Sequence, residues 1–171
     1  MREVLSRAHP AAGPVAARYE RALAEACGRR QAVATCSGTA ALHLALLSAG
    51  GSAGARVGFP SYVCAAVLQA IRHAGGEPIP LDVDPETNNL PPRPSDAGLD
   101  VLVSAHLFGL PGPVVEHLAA ARRVVEDCAM CLGTSVAGRP IGSFGAASVL
   151  SSYATKMIAT GHGGAVLADD P

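Results

Sequence analysis

The sequence predicts an α/β domain of three layers, in which a mainly parallel seven-stranded sheet is covered by helices on both faces. Three observations predict it. Short apolar runs recur along the chain, helical patterns separate the first of them, and most are apolar throughout rather than alternating. The chain has 171 residues, 49% of them hydrophobic, which suits one domain with a buried core better than two.

The first element is a helix over residues 15–27, "VAARYERALAEAC", with Val15, Tyr19, Leu23 and Ala26 at helical spacing and Gly28 as its stop. "QAVATC" is a short strand, Ser37-Gly38-Thr39 a tight turn, and "AALHLALLSAGG" an apolar helix closed by glycines. The rhythm repeats with strand "ARVGFP", helix "SYVCAAVLQAIRHAGG" and strand "EPIPLDVD". "DPETNNLPPRPSDAG", polar and rich in Pro and Asn, reads as a loop. "DVLVSAHLFG" is a strand, "PGPVVEHLAAAR" a helix and "RVVEDCA" the next strand. "GRPIGSFG" is a glycine-punctuated connection, and "AASVLSS" and "GGAVLADD" complete seven strands. No repeat or low-complexity linker interrupts the chain. The expected organisation is a short segment 1–14 followed by one domain over 15–171.

The formal net charge is −1 and no basic or acidic run stands out, so nothing points to nucleic acid or a membrane surface as partner. Trp is absent and other aromatics are few, which argues against a stacking platform for bases. The opening "MREVLSRAHPAAGP" lacks the apolar core of a secretory signal, and no stretch has the length and polarity to span a bilayer. Five scattered cysteines, an odd number, suit a reducing compartment, so the expected setting is the cytoplasm. Cys128 and Cys131 have CxxC spacing with no second pair or His cluster to complete a zinc site. They read as small buried hydrophobes, with metal or redox roles as the alternative.

Three places can carry chemistry. Ser37-Gly38-Thr39 ends a strand and opens a helix, leaving backbone N–H groups and a helix dipole that suit a phosphate, although Ser or Thr at this position also caps ordinary helices. It is neither GxGxxG nor a P-loop, which weighs against a dinucleotide-binding oxidoreductase. Asp127 ends an apolar strand at the ligand-binding edge of the sheet. It is either a turn residue or the partner of a cation such as a protonated ring nitrogen. Lys156 stands among hydroxyls and glycines in "SSYATKMIATGHGG", with no acid following it until Asp169. It is either a snorkelling lysine or, if shielded from water, an amine able to form a Schiff base with an aldehyde. A phosphate at Ser37–Thr39 and Ser151, a ring nitrogen at Asp127 and an aldehyde at Lys156 are the three handles of pyridoxal 5′-phosphate.

These pieces, in their order, resemble the DegT/DnrJ/EryC1/StrS aminotransferases. The resemblance is carried by "YERALAEACGRRQAVATCSGTAALHLALLSAG", "FPSYVCAAVLQAIRHAGGEPIPLDVDPETNNL", "VSAHLFGLPGPV", "VVEDCAMCLGTSVAGRPIGSFG" and "SSYATKMIATGHGGAVLADD". It implies a fold-type-I pyridoxal-phosphate enzyme whose large-domain sheet has seven strands, one antiparallel. It also implies an amino-acid donor such as glutamate, a keto-sugar acceptor, often nucleotide-linked, and a homodimer with the site at the interface. By position it makes Lys156 the Schiff-base lysine and Asp127 the partner of the pyridine nitrogen. Ser151 and Thr39 become phosphate contacts, and Gly38 and Ala40 the backbone part of the phosphate turn.

Three positions depart from the family. Met130 stands where Gln or His is usual, Cys64 where an aromatic ring commonly lies against the cofactor, and His162 where an acid often lies between glycines. Family members are far longer, so the C-terminal small domain that closes over the substrate is expected to be absent. That keeps other readings beside the aminotransferase: an incompetent remnant or one half of a split enzyme, acting as a binding or assembly module. The third is a sugar dehydratase of the same family, in which one type replaces the lysine by histidine.

Overall fold

The computed structural model describes residues 13–95 and 98–170, so the expected segment 1–14 lies almost wholly outside the described residues. Helix α1 (Pro14–Ala26) begins with proline, whose missing N–H costs nothing in a first turn, and ends before Gly28 at φ 63°. Its buried side is Leu23, Ala24 and the capping Cys27, while Ala26, expected on that face, is exposed. Strand β1 (Gln31–Thr35) leads through Ser37 into α2 (Gly38–Ser48). Strand β2 (Arg56–Pro60), helix α3 (Ala65–Ala74) and strand β3 (Glu77–Leu81) follow, with Gly75 left-handed at the end of α3.

Strand β4 (Leu99–Ala105) is followed by α4, only Val114–His117, and β5 begins at Ala121 (Ala121–Asp127). The helix expected over "PGPVVEHLAAAR" is thus one turn. Parallel pairing of Leu99 with Ala121 and Val101 with Arg123 draws the last two residues of that segment into the sheet, and residues 118–120 turn the chain between helix and strand. Within the connection that followed, β6 (Ser135–Val136) and β7 (Arg139–Pro140) form a small hairpin turned by Ala137 and Gly138, both at positive φ. Strands β8 (Ala147–Ser151) and β9 (Gly164–Ala168) complete the main sheet.

The sheet has seven strands in the order β1-β9-β8-β5-β4-β2-β3, and β9 is antiparallel to both of its neighbours. Pro78 and Pro80 sit on β3, an edge strand, where a missing ladder donor is tolerated. On one face Val101, Val103, Val125 and Val149 pack under α2 and α3 through Leu42, Leu46, Val67 and Ile71. On the other Leu102, Val124 and Leu150 meet Leu23 and Cys27 of α1, Val114 of α4 and Ile141. These are the three layers. Burying the apolar sides of both faces drives the arrangement. Leu46 and Ile71 are wholly buried, each contributing about 2–5 kcal/mol judged by truncation of such residues to alanine.

Candidate functional site

Six of the eight sequence-predicted site residues converge at the carboxyl ends of the strands. A cavity of about 290 Å³ is lined by Gly38, Thr39, Cys64, Asp127, Ser151 and Lys156, with Ser37, Tyr153 and His162 among the other walls. Strand order explains the convergence: β1, β9, β8 and β5 are successive neighbours, so the Ser37 turn, Gly163, Ser151 and Asp127 come together along one sheet edge. Ala40 does not line the cavity. Its amide donates to Ser37 Oγ at 3.1 Å, closing the helix cap, while the preceding Gly38 and Thr39 line the cavity. Met130 also lies outside, in a neighbouring cavity with Lys156.

Two glycines make the turn possible. A Cβ on Gly38 would lie 2.7 Å from Ser151 Cβ, and one on Gly164 would lie 2.6 Å from the Ser37 carbonyl carbon. Both distances are shorter than real Cβ contacts. The start of α2 therefore rests directly on the β8–β9 pair, with the hydroxyls of Thr39 and Ser151 lining the same cavity.

Asp127 closes β5. Its carboxylate accepts the Ala129 amide at 3.0 Å, an Asx turn that the aspartate two residues earlier could have signalled. Burial pushes the Asp127 carboxyl above its ordinary range, and the Ala129 amide and the positive field of Lys156 offset this only in part. The side chain nevertheless keeps part of its surface open, on the cavity. An enclosed carboxylate with one amide donor is a place for a cationic N–H.

Lys156 projects from the connection between β8 and β9. That connection is clasped at its base: the Ser152 amide donates to the Gly163 carbonyl at 3.0 Å, the Thr160 amide to the Ser152 carbonyl at 2.9 Å, and the Thr160 hydroxyl to Ser152 Oγ at 2.9 Å. The Lys156 amide donates to the Tyr153 carbonyl at 2.9 Å, and the Tyr153 ring meets the His162 ring edge-on at 5.3 Å. The lysine is partly buried rather than sealed from water.

Sequence reasoning missed a buried hub behind the site. Glu126, fully buried, accepts the amides of Gly142, Phe144 and Gly145 at 2.9, 2.7 and 2.8 Å, and lies 3.5 Å from Arg29. Burial alone would raise its carboxyl, but the His106 ring 3.4 Å away and the amides of Gly145 and Gly142 overcome this and hold it below the usual range. His106, Glu126 and Cys128 offer atoms within 4.8 Å of one another, the spacing of a metal triad. The hydrogen bonding contradicts that use. His106 Nδ1 accepts the Gly112 amide at 3.0 Å, so Nε2 carries the proton and faces Glu126 Oε2 across 3.4 Å. Cys128 and Cys131 are both buried with thiols pushed up by burial, which agrees with their reading as small apolar residues.

Known proteins resemble this chain along most of its length. The model of the DegT/DnrJ/EryC1/StrS aminotransferase family matches residues 1–171. GDP-perosamine synthase of Caulobacter vibrioides is 34% identical over 160 residues, covering 89% of this chain and 43% of that protein. L-glutamine:scyllo-inosose aminotransferase of Streptomyces griseus is 34% identical over 164 residues, covering 89% of this chain and 39% of that protein. Among solved structures, DesI in the presence of its TDP-sugar product superposes with a TM-score of 0.82 at 38% identity, over 93% of this chain and 42% of that one. The chain spans about two fifths of the length of the curated relatives it matches.

Proposed function

The chain belongs to the DegT/DnrJ/EryC1/StrS aminotransferase family, and from that membership we propose that it forms the cofactor-binding part of a pyridoxal-phosphate-dependent aminotransferase acting on a keto-sugar or related cyclic ketone. The observation that carries the proposal is that Lys156, Asp127 and the Ser37–Thr39 turn line one cavity. The residues fit the cofactor. The glycine-bared start of α2 with Ser151 suits its phosphate, the enclosed Asp127 suits its ring N–H, and Lys156 reaches into the same space.

When bound, the cofactor supplies an aldehyde carbon for the lysine amine and a ring that takes up the electron pair left when a proton leaves the donor. The chain's own residues do the rest. The amides of Gly38 and Thr39 and the hydroxyls of Thr39 and Ser151 hold the phosphate, with the α2 dipole adding to the attraction. Asp127, ionised, keeps a proton on the ring nitrogen, a role its burial strengthens because the surroundings screen the pair weakly. Lys156 Nζ takes the proton from the nitrogen-bearing carbon of the donor, and later delivers one to the former carbonyl carbon of the acceptor. The apolar wall of Leu42, Val67, Val149 and Leu150 limits water around that transfer.

The amino donor proposed is an amino acid such as glutamate or glutamine, the latter named for the Streptomyces relative. The acceptor is a ketone of the sugar or cyclitol kind, in line with the sugar and inosose names of the relatives. A second copy of the chain, or the remainder of a full-length enzyme, is proposed to complete the site. No helix among the described residues is long and apolar enough to cross a membrane.

The test is chemical trapping. The chain is mixed with pyridoxal phosphate, reduced with borohydride and digested, and the labelled peptide is sequenced. Label on Lys156, lost in Lys156→Ala and weakened in Asp127→Asn, supports the reading. Label spread over other amines, or none, would overturn it.

A further inference from the structure

A second cavity, of about 220 Å³, adjoins the first and is lined by Phe108, Gly109, Ala129, Met130, Thr155, Lys156 and Met157. Lys156 and Ala129 belong to both, so the lysine stands in the wall between them. Apart from that amine, the side chains lining the second cavity offer one hydroxyl and are otherwise apolar.

Phe108 is its conspicuous member. It holds φ 56° and is followed by Gly109 at φ 78°. A bulky residue in the left-handed region is a strained outlier, and burial does not compensate it here, because Phe108 is 55% exposed. Its ring lies 6.4 Å from that of Tyr62, also exposed. The strain is held by two buried side chains. Asn89 Oδ1 accepts the Leu107 amide at 3.1 Å while Asn89 Nδ2 donates to the Leu110 carbonyl at 3.2 Å, gripping the turn on both sides of Phe108. His106 Nδ1 accepts the Gly112 amide where the turn ends, and is itself braced against Glu126. Asn89 is 2% exposed, and sits in the segment whose sequence reads only as a polar loop.

We propose that this second cavity receives the acceptor, with Phe108 as a specificity-determining residue that stacks on a C–H face of the acceptor's ring, and with Asn89 and His106 as positioning residues for Phe108. The inference rests on the aminotransferase reading, which requires the acceptor's carbonyl carbon to come within reach of Lys156. An aromatic face beside an amine, with no carboxylate and one hydroxyl in the lining, favours an acceptor whose reacting end is poor in hydroxyls. A polyhydroxylated acceptor would leave its hydroxyls facing Met130 and Met157 without partners, which costs affinity.

The test uses the whole chain loaded with cofactor, two probe ketones, cyclohexanone and scyllo-inosose, and saturation-transfer NMR. Borohydride labelling of Lys156 is measured first, in wild type, Phe108→Ala, Phe108→Trp and Asn89→Ala. Equal labelling is expected, since none of these residues lines the first cavity. Cyclohexanone is then expected to bind more tightly than scyllo-inosose. Phe108→Ala should weaken cyclohexanone about three- to tenfold and scyllo-inosose less, and Phe108→Trp should restore it. Asn89→Ala, which leaves the ring but frees the turn, should fall between. Absence of label on wild-type Lys156 sinks the aminotransferase reading and this inference with it. Normal label with unchanged ketone binding in Phe108→Ala overturns the inference alone. So does the finding, by sedimentation, that Phe108→Ala dissociates a dimer while ketone affinity holds, because the ring would then be an interface residue.

Discussion

Removing the Glu126 carboxylate should cost this chain much of its stability although the residue lies outside both cavities. Three backbone amides, those of Gly142, Phe144 and Gly145, end on its two oxygens, and the Arg29 guanidinium lies 3.5 Å away, itself 3% exposed at the side chain. In Glu126→Ala the amides lose their acceptor in a dry site, at about 1–3 kcal/mol for each group left unsatisfied. Arg29 keeps the carbonyls of Gly142 and Gly145 and the Asp169 carboxylate at 2.9 Å, so its charge is not wholly abandoned. Local rearrangement and water entry will recover part of the loss. We therefore expect about 3–5 kcal/mol, the usual cost of removing one partner from a buried pair, a large fraction of the 5–15 kcal/mol roughly typical of a domain. Urea unfolding followed by circular dichroism measures it. With a slope of about 2 kcal/mol per molar urea, the midpoint should fall by about 2 M. The pH dependence has a defined sign. The Glu126 carboxyl is held below its ordinary range in the folded chain, so its contribution is present above the unfolded value and lost as pH falls through the folded one. The gap between wild type and variant should narrow in acid. A midpoint shift below about 0.5 M at neutral pH, equal to about 1 kcal/mol on that slope, would refute the account of the hub.

Asp127 should behave in the opposite sense. Its carboxyl is raised by burial, so the folded cofactor-free chain holds that proton more tightly than the unfolded one and loses stability as pH rises through the interval. Asp127→Asn should raise the cofactor-free melting temperature at neutral pH, by about 2–4 °C per kcal/mol gained, while weakening cofactor uptake measured by absorbance titration. Gly38→Ala would force a Cβ to within 2.7 Å of Ser151 Cβ, at about 1–3 kcal/mol of overpacking. Adding Ser151→Gly should restore the melting temperature but not phosphate affinity, which separates the steric role of the pair from its binding role. Of the five cysteines, Cys36 and Cys64 are exposed and should react promptly with DTNB in the native state. Cys27, whose thiol is pushed up to about 11 by burial, should stay silent. Bound cofactor should shield Cys64, a cavity wall, and leave Cys36 reactive.

What could be read from the sequence divides along a physical line. Ser37-Gly38-Thr39, Asp127 and Lys156 each carry a local signature, because a strand end, a helix start or a glycine-flanked loop can be seen within a few residues. The cavity that joins them follows from strand order, and strand order follows from the parallel rhythm only up to the choice of neighbours. The placing of β9 between β1 and β8, which sets Gly164 against the Ser37 turn, is a long-range packing result. Asn89 and Glu126 were invisible for a related reason. Each is a polar residue whose meaning lies in partners distant along the chain: the 107–110 turn for Asn89, and Arg29 with the 142–145 loop for Glu126. A polar loop and an acid at a strand end look alike whether solvated or buried. The segment after α4 failed differently. Its alanines favour helix by propensity, but Ala121 is held by pairing with β4, so residues 118–120 must turn the chain into the central strand instead of extending the helix.

The hub and the cavities also constrain one another. Glu126 and Asp127 are consecutive on β5 and so point to opposite faces, one into the back layer and one toward the site. A one-residue slip of β5 that carried Glu126 into the place of Asp127 would turn the longer carboxylate into the cavity and leave Val125 facing Arg29 and the 142–145 amides. The amides of Gly142, Phe144 and Gly145 forbid that slip, since they are placed for a carboxylate with the reach and position of Glu126. The same clamp braces His106, and through Gly112 the turn that carries Phe108. The buried ion cluster therefore gives register more than net stability, a role charged cores can serve where hydrophobic replacements would hold the fold equally well. A paired replacement of Arg29 and Glu126 by Met and Leu separates the two roles. It should recover much of the melting temperature lost in Glu126→Ala, yet leave Lys156 labelling weak, because Asp127 would no longer be fixed in place. Full recovery of both would show that packing alone sets the register of β5.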